Sequence, residues 1–201
     1  MSEQHVLTWE VMASGGLETT WVEIGDSPPT AGLRARGRAV GTEPGPYWLS
    51  YVLETGGDFA TRRLTVRVED AAENAEDSGR VRELDLRRSA DGRWTVGGQL
   101  RPDLEGALDC DLGLCPLTNT MPVRRHALHR GPGEREFLMA WVSVPGLAVR
   151  PSRQTYTHLG LTDSGGARVR YSSEGFAADV EFDADGLVVD YPELARRRFT
   201  A

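Results

Sequence analysis

The stretch DCDLGLCPLTNTMPVRRH, residues 109–126, concentrates most of the residue types in this sequence that could do chemistry. Asp109 and Asp111 are two residues apart, so in a strand their carboxyl groups would share one face at about 7 Å. That separation overlaps the range of about 6.5–9.5 Å at which inverting glycosidases hold a general acid and a general base. One hypothesis is therefore a hydrolase acting on a sugar or an ester, although two polar positions on a wet strand face explain the spacing equally well.

The middle of the same stretch carries three short hydrogen-bonding side chains, Thr118, Asn119 and Thr120. Such side chains bond to neighbouring backbone groups. Pro116 and Pro122 bracket the run and stiffen it. The pattern predicts a preorganised irregular loop.

Two adjacent arginines, Arg124 and Arg125, follow this loop. Guanidinium groups suit bidentate contacts with anions. Adjacent residues in a strand point to opposite faces, so we expect one arginine to face a pocket and the other to pair with Asp109 or Asp111. The segment could hold hydroxyl and anionic groups of a ligand, or it could be purely structural, and the residues alone leave both readings open.

The sequence contains no complete metal or cofactor motif. A calcium loop needs glycine at position six and glutamate at position twelve, but counting from Asp109 those positions hold Leu114 and Thr120. No G-x-S-x-G nucleophile elbow occurs. We therefore predict no metal, no cofactor and no serine-hydrolase site.

Neither the histidines nor the cysteines of the stretch complete a site. His126 and His129 lack a third ligand nearby and are interpreted as surface residues. Cys110 and Cys115 are too few for a zinc site and are interpreted as small, partly buried apolar residues. Two cysteines also fit a reducing cytoplasm.

The overall charge excludes several classes of function. The net charge is −7, which disfavours nucleic acid as a partner. All 23 basic residues are arginine, so no lysine chemistry is available. No apolar run reaches the length of a membrane span, and the first residues show no signal-peptide pattern, so we expect a cytoplasmic location.

Strand patterns must position these residues. Alternating apolar residues, or segments rich in Tyr, Trp and Thr, predict strands at 33–40, 47–55, 61–70, 153–160, 167–173 and 176–182. The nearly unbroken apolar run from Phe137 to Val144 predicts a strand buried on both faces. We expect a loop or a helical turn at 69–79 and a short helix within 191–200. Frequent Gly and Pro turns predict many antiparallel strands in one domain spanning residues 1–201.

The central stretch also resembles the motif D-x-DLG-x-x-P-x-TNT-x-P-x-RR of the bacterial Putative glycolipid-binding family. Further segments agree in the same order: Trp9 with GLE, then YWLSYVLE and ATRRLTV, RQTYTHLG, and FAADVEFDADGLVVDYPELARR. The motif covers Asp109, Asp111, Gly113, Pro116, Thr118, Asn119, Thr120, Pro122, Arg124 and Arg125. The resemblance implies a mainly β fold, a large curved antiparallel sheet rolled into an incomplete barrel, with a shape compared to lipoprotein localisation factors.

Together, residues and resemblance favour a protein that binds an amphipathic ligand, a glycolipid or a fatty-acyl compound, in an open β-roll without catalysis. The expected apolar lining comes from 137–144, with Trp141 and Trp48. The expected polar rim is Asp111, Thr118, Asn119, Thr120 and Arg124 or Arg125. The alternatives are the hydrolase using Asp109 and Asp111, and a protein-interaction module that recruits a partner at a sheet edge. The oligomeric state is not predicted.

Overall fold

In the computed structural model of this protein, the residues described are 2–26, 28, 31–70 and 80–200. The acidic segment expected to form a loop or helical turn at 69–79 lies outside the described residues from 71 onward.

Fifteen β-strands form in the described part of the chain: β1 Ser2–Val11, β2 Gly16–Gly25, β3 Gly32–Gly41, β4 Tyr47–Thr55, β5 Thr61–Asp70, β6 Val81–Arg88, β7 Trp94–Val96, β8 Gln99–Leu100, β9 Asp109–Leu112, β10 Glu134–Val142, β11 Val149–Leu161, β12 Ala167–Ser173, β13 Phe176–Phe182, β14 Val188–Tyr191 and β15 Ala195–Thr200. The helical elements among these residues are three 3-10 helices and one α-helix: Met12–Ser14, Pro102–Leu104, Pro116–Asn119 and α1 Thr120–Arg125.

All fifteen strands belong to one sheet in the order β8-β7-β6-β5-β4-β3-β2-β1-β15-β14-β13-β12-β11-β10-β9. Every neighbouring pair is antiparallel except β9 and β10, which are parallel. The sheet therefore follows the chain outward from a central seam between β1 and β15, and its two edges are β8 and β9. The sheet is large and open and is not closed into a barrel, so the predicted mainly β fold with few short helices is confirmed.

The sheet curves enough to bring β9 against β5. The Thr61 backbone N–H donates to the Leu108 carbonyl at 3.0 Å, and the Cys110 backbone N–H donates to the Thr61 hydroxyl at 3.0 Å. These bonds satisfy buried polar groups that would otherwise cost free energy. They hold the β9 edge inside the roll.

Alternating burial along β5 shows how the sequence builds the core. Leu64, Val66 and Val68 are at most 3% exposed and join the first of two hydrophobic clusters, whereas Arg67 on the opposite face is exposed. Period-two patterning therefore places apolar side chains inside the curve and charged ones outside.

β10 is buried on both faces, as the sequence predicts. Ala140 and Val142 pack into the first cluster, and Phe137 and Met139 pack into the second. The second cluster lies between β10–β14 and the segment containing α1, which contributes Val123. β10 thus separates two cores, and the residues it carries reach both.

The predicted short helix within 191–200 is wrong. Residues 195–200 form β15, which pairs with β1 on one side and β14 on the other. Arg196 forms an ion pair with Asp190, and Arg198 forms one with Glu10. Two ladders of backbone hydrogen bonds outweigh the modest helix propensity of a short segment.

Candidate functional site

A cleft of about 460 Å³ opens at one end of the roll. The turn between β1 and β2 contributes Ala13, and the turn between β3 and β4 contributes Glu43 and Pro44. The chain from Asp111 to Cys115 forms another part of the lining. Below, this space is called the cleft.

Four aromatic side chains line the cleft: Trp141 on β10, Tyr171 on β12, Phe176 on β13 and Tyr191 on β14. The Tyr171 ring centroid lies 6.0 Å from that of Phe176 and 5.9 Å from that of Tyr191. Phe176 is 40% exposed, so part of this aromatic wall is open to solvent. Leucine and valine side chains complete the apolar lining: Leu112, Leu114, Val144 and Leu194.

Asp111 is the acidic group at the floor of the cleft. It lies opposite Trp141 in the register of β9 and β10. The Thr118 hydroxyl donates to its Oδ1 at 3.0 Å, and Gln154 Nε2 donates to its Oδ2 at 2.6 Å. Burial raises the pKa of the Asp111 carboxyl, and the bonds from Gln154 and Thr118 oppose that shift. Each carboxylate oxygen can accept a further hydrogen bond beyond these two.

Asn119 extends the polar floor through a connected network. Its Oδ1 accepts a hydrogen bond from the Tyr156 hydroxyl at 2.8 Å, and its Nδ2 donates to the Pro116 carbonyl at 3.2 Å. The Tyr156 hydroxyl also lies 3.3 Å from Gln154 Oε1. Asn119 and Asp111 are therefore fixed in orientation by shared partners behind the cleft.

The Thr-Asn-Thr run lies on helices and not in the predicted irregular loop. A 3-10 helix begins at Pro116, and α1 follows it directly. Proline is tolerated at the first position of a helix because the backbone N–H that it lacks would have no partner within the helix. Thr118 and Thr120 are 3% and 0% exposed. Thr118 reaches the cleft only through its bond to Asp111, and Thr120 does not line it.

Asp109 is engaged by Arg125 and does not line the cleft. Arg125 Nη1 donates to Asp109 Oδ2 at 2.8 Å, and Nη2 donates to Oδ1. The same guanidinium donates to the carbonyls of Asp58 and Phe59 at 3.0 and 3.1 Å. Burial raises the pKa of the Asp109 carboxyl, and Arg125 opposes that shift. The prediction that one arginine pairs with an aspartate of β9 is confirmed.

Arg124 also points away from the cleft. Its guanidinium donates to Asp26 Oδ1 at 2.6 Å and to the Asp185 carbonyl, and it lies 5.1 Å above the Phe59 ring. The side chain is 5% exposed. Because both arginines lie on α1 and not on a strand, the expected split between a pocket face and a paired face does not occur.

The structure places the two predicted tryptophans differently. Trp141 lines the cleft, and the Arg150 guanidinium lies 4.3 Å above its ring. Trp48 is 67% exposed on the outer face of β4 and does not line the cleft. Parity within the strand explains this, because Trp48 alternates with the buried Tyr47 and Leu49.

A buried polar cluster lies behind Cys115, which itself lines the cleft. Glu18 Oε1 accepts hydrogen bonds from the Tyr51 hydroxyl at 2.6 Å, the Thr20 hydroxyl at 3.0 Å and Cys115 Sγ at 3.2 Å. Burial raises the pKa of the Glu18 carboxyl, and these bonds oppose the shift. Burial also raises the pKa of the Cys115 thiol, so it is a poor nucleophile at neutral pH. Cys110 is free as well, and its pKa is raised to about 12 by burial.

The two histidines differ from each other. His126 is exposed, as predicted, whereas the prediction of a surface position for His129 is wrong, since it is 2% exposed. Neither ring nitrogen of His129 has a hydrogen-bond partner among the described residues, and burial lowers its pKa. Its ring packs beside Gly186, where an added Cβ would lie 3.2 Å from His129 Cγ.

One group of metal-type ligand atoms occurs within the residues described. Glu3, His5 and Asp185 bring their ligand atoms within 4.8 Å of one another. None of the three lines the cleft.

Sequence reasoning missed the residues that form most of the cleft. Tyr171, Phe176 and Tyr191 lie on three different strands, and only the register of β12, β13 and β14 brings them together. Glu18 was missed as well, because the apolar residues Leu17 and Trp21 lie on the outward face of β2, so alternation predicts the opposite parity for Glu18.

The electrostatic character of the cleft follows from its lining. The charged residues that line it in the described chain are Asp111 and Glu43, and both are acidic. The space is otherwise mostly apolar and aromatic. It suits a ligand with hydroxyl groups and an apolar part more than an anionic one.

None of the helices in the described residues is long and apolar enough to cross a membrane.

Comparison with known proteins agrees with this architecture. The sequence model of the Putative glycolipid-binding family matches residues 6–197. The crystal structure of a DUF1089 family protein from Pseudomonas aeruginosa, determined at 1.80 Å resolution, is 32% identical in sequence and superposes with a TM-score of 0.68. The match covers 90% of this chain and 92% of that one. Among curated proteins no relative matches the chain.

Proposed function

Because the chain belongs to the Putative glycolipid-binding family, we propose that it binds a glycolipid or a related fatty-acyl compound in the cleft without converting it chemically. The observation that carries this proposal is the combination of an aromatic wall with the fixed polar pair Asp111 and Asn119. A volume of about 460 Å³ lies within the usual ligand-site range of about 300–1,000 Å³.

The headgroup would lie against the aromatic wall. The apolar face of a sugar ring stacks on aromatic rings, and Phe176 and Tyr191 offer such surfaces beside Asp111. Asp111 accepts hydrogen bonds from sugar hydroxyls, and the Asn119 amide can donate to one. Because the cleft supplies acceptors fixed in place, little side-chain entropy is lost on binding.

The acyl part would lie against the aliphatic lining. Leu112, Leu114, Val144 and Leu194 offer an apolar surface next to the polar floor. Each buried methylene contributes about 0.8 kcal/mol, so ten methylenes contribute on the order of 8 kcal/mol before ordering costs. Amphipathic ligands are therefore favoured over free sugars.

The acid–base pair of a hydrolase does not enter this proposal. Asp109 accepts two hydrogen bonds from Arg125 and is 0% exposed, so its carboxylate is not available to a substrate in the cleft. Of these two aspartates only Asp111 lines the cleft, so the pair that the inverting mechanism would need is not assembled there.

A cytoplasmic location is part of the proposal. Cys110 and Cys115 are free and buried. Reduced, unpaired cysteines are typical of proteins in a reducing compartment.

Native mass spectrometry followed by denaturing lipid extraction tests the binding. We expect a co-purified amphipathic ligand at one copy per chain. Trp141→Ala and Phe176→Ala should each lower its occupancy and weaken the binding of octyl glucoside, measured below its micelle concentration, by about tenfold, because each removes part of the aromatic wall.

Leu161→Ala is the matched control, since Leu161 is 66% exposed and lies outside the cleft. Circular dichroism should show that all three variants fold. The proposal would be contradicted if the protein remained free of lipid after incubation with a cell lipid extract and did not bind octyl glucoside.

A further inference from the structure

The outer face of β2, β3 and β4 carries an apolar surface that the strand register assembles. Leu17 lies opposite Val40, and Val40 lies opposite Trp48, so these three side chains form one row across the strands. Four residues further along β2, past Thr19, Trp21 lies in a parallel row. Trp48 is 67% exposed, Leu17 and Trp21 are each 51% exposed, and Val40 is 43% exposed. Exposed indoles grouped in this way are unusual for a surface that meets only water.

Arginines lie among these apolar residues. Arg36 is opposite Trp21, and Arg38 lies in the row between the two tryptophans, opposite Ser50. In the described chain no carboxylate lies within 4.0 Å of either guanidinium, whereas Arg34 on the same strand is 3.5 Å from Glu54. We call the six residues Leu17, Trp21, Arg36, Arg38, Val40 and Trp48 the outer patch.

The outer patch is basic on a protein whose net charge is −7. Its six residues carry two positive charges and no negative charge. On the neighbouring strands Glu10 lies opposite Leu17 and Glu69 lies opposite Trp48, and these two carboxylates are paired with Arg198 and Arg67. A groove of about 430 Å³ is formed in part by the patch itself, since its lining includes Trp21, Arg36 and Arg38 together with Ser50 and Val52. The arginines of the patch are complementary to a negatively charged surface, and its apolar side chains are complementary to an apolar layer beneath that surface.

The outer patch lies next to the turns that line the cleft. Leu17 follows the cleft residue Ala13 by four positions, and Val40 precedes the cleft residue Glu43 by three. Trp48 follows the cleft residue Pro44 by four positions. A flat partner that covers this row would thus lie close to the opening of the cleft.

We propose that the outer patch docks the protein on the surface of an anionic lipid bilayer. Indole side chains favour the level of the lipid headgroups, and arginines next to the membrane attract anionic lipids. A partner strand cannot add here, because β2, β3 and β4 are each paired on both sides. The choice of a bilayer over a protein rests in part on the proposed function, since docking would present the cleft to the lipids it binds.

Co-sedimentation with vesicles tests the docking. The full chain should sediment with vesicles of phosphatidylcholine mixed with phosphatidylglycerol, and less with vesicles of phosphatidylcholine alone, when neither contains a glycolipid. Trp21→Ala and Trp48→Ala should each lower the partition coefficient by about tenfold, because each removes exposed apolar area. Arg36→Gln and Arg38→Gln should each lower it by about fivefold on the mixed vesicles.

The controls separate this proposal from the previous one. Leu161→Ala and Arg168→Gln alter exposed residues of the other half of the sheet and should leave vesicle binding unchanged. Trp141→Ala should keep vesicle binding while it loses cleft binding. A cleft that binds no ligand in a protein that still binds vesicles through the patch would contradict only the proposed function.

Two results would overturn the docking proposal. One is a parent protein that does not sediment with the mixed vesicles, or whose patch variants all bind like the parent. The other is a parent protein that dimerises in solution and becomes monomeric with Trp48→Ala, since the patch would then be a protein interface.

Discussion

At the scale of single residues, the buried carboxyl groups carry the clearest energetic consequences. Asp109 has a guanidinium partner, Asp111 has neutral hydrogen-bond donors, and Glu18 has hydroxyl and thiol donors. A buried charge without a partner costs several kcal/mol, so the surroundings of each group determine how the protein responds to its removal and to pH.

We expect Arg125→Met to lower the free energy of unfolding by about 3–5 kcal/mol, because Asp109 would remain buried without its cation. The double variant with Asp109→Asn should lose less than the sum of the two single variants. Urea unfolding at neutral pH measures both. Arg93→Met, at an exposed pair with Asp91, is the control and should leave stability unchanged. Additive losses would show that the pair is not coupled.

Glu18→Gln should change the dependence of stability on pH. Burial raises the pKa of Glu18 above its ordinary 4.5, so the folded state holds this proton more tightly than the unfolded state. The parent protein therefore loses stability from this group as pH rises above about 4.5, and the glutamine variant does not. The free energy of unfolding, measured between pH 4 and pH 7, should increase for the variant relative to the parent protein as pH rises. Parallel profiles would contradict this expectation.

Residue roles were only partly predictable from the sequence. Asp111, Asn119 and Trp141 were identified and do line the cleft. Their binding role stays a prediction. One of Arg124 and Arg125 was expected at the rim, but both bind other parts of the chain, because a six-residue helix turns them away from the cleft.

At the scale of elements, alternation predicted several strands correctly, whereas β1, β2 and β6 were not predicted although each of them buries one face. β5 and β13 follow their patterns because the sheet has a wet face and a dry face there. The segment 116–125 was predicted as a loop, since its two prolines mask a pair of short helices whose stability comes from burial of Leu117, Met121 and Val123. Such packing is invisible to local propensity.

β3 and β4 depend on one close contact between a glycine and a tyrosine. A Cβ added at Gly37 would lie 2.1 Å from Cε1 of Tyr51, so the ring that donates to Glu18 packs directly on the glycine. Gly37→Ala should lower the free energy of unfolding by about 1–3 kcal/mol through overpacking. Gly45→Ala is the control, because an added Cβ there meets no atom within 4 Å. Equal thermal midpoints for the two variants would contradict this account.

At the scale of the whole molecule, the sheet order was beyond local patterns. The mainly β class and the rolled, incomplete barrel were predicted and are confirmed, the shape through the family resemblance. The seam between β1 and β15 was not foreseen, because its partners are far apart in sequence and the last segment was interpreted as helical. The register of β12 to β14, which creates the aromatic wall, has the same long-range origin.

The seam between β1 and β15 has a consequence for synthesis on the ribosome. Of the fifteen described strands, β1 emerges first, and one of its two neighbours, β15, emerges after the other fourteen. Until β15 emerges, β1 therefore keeps an unpaired edge, and β14 keeps one for the short time between its own synthesis and that of β15; the backbone groups of such an edge can pair with another nascent chain. Pairing with another chain is therefore most favoured just before β15 is synthesised, when the two halves of the sheet are complete but not yet connected by hydrogen bonds between β1 and β15.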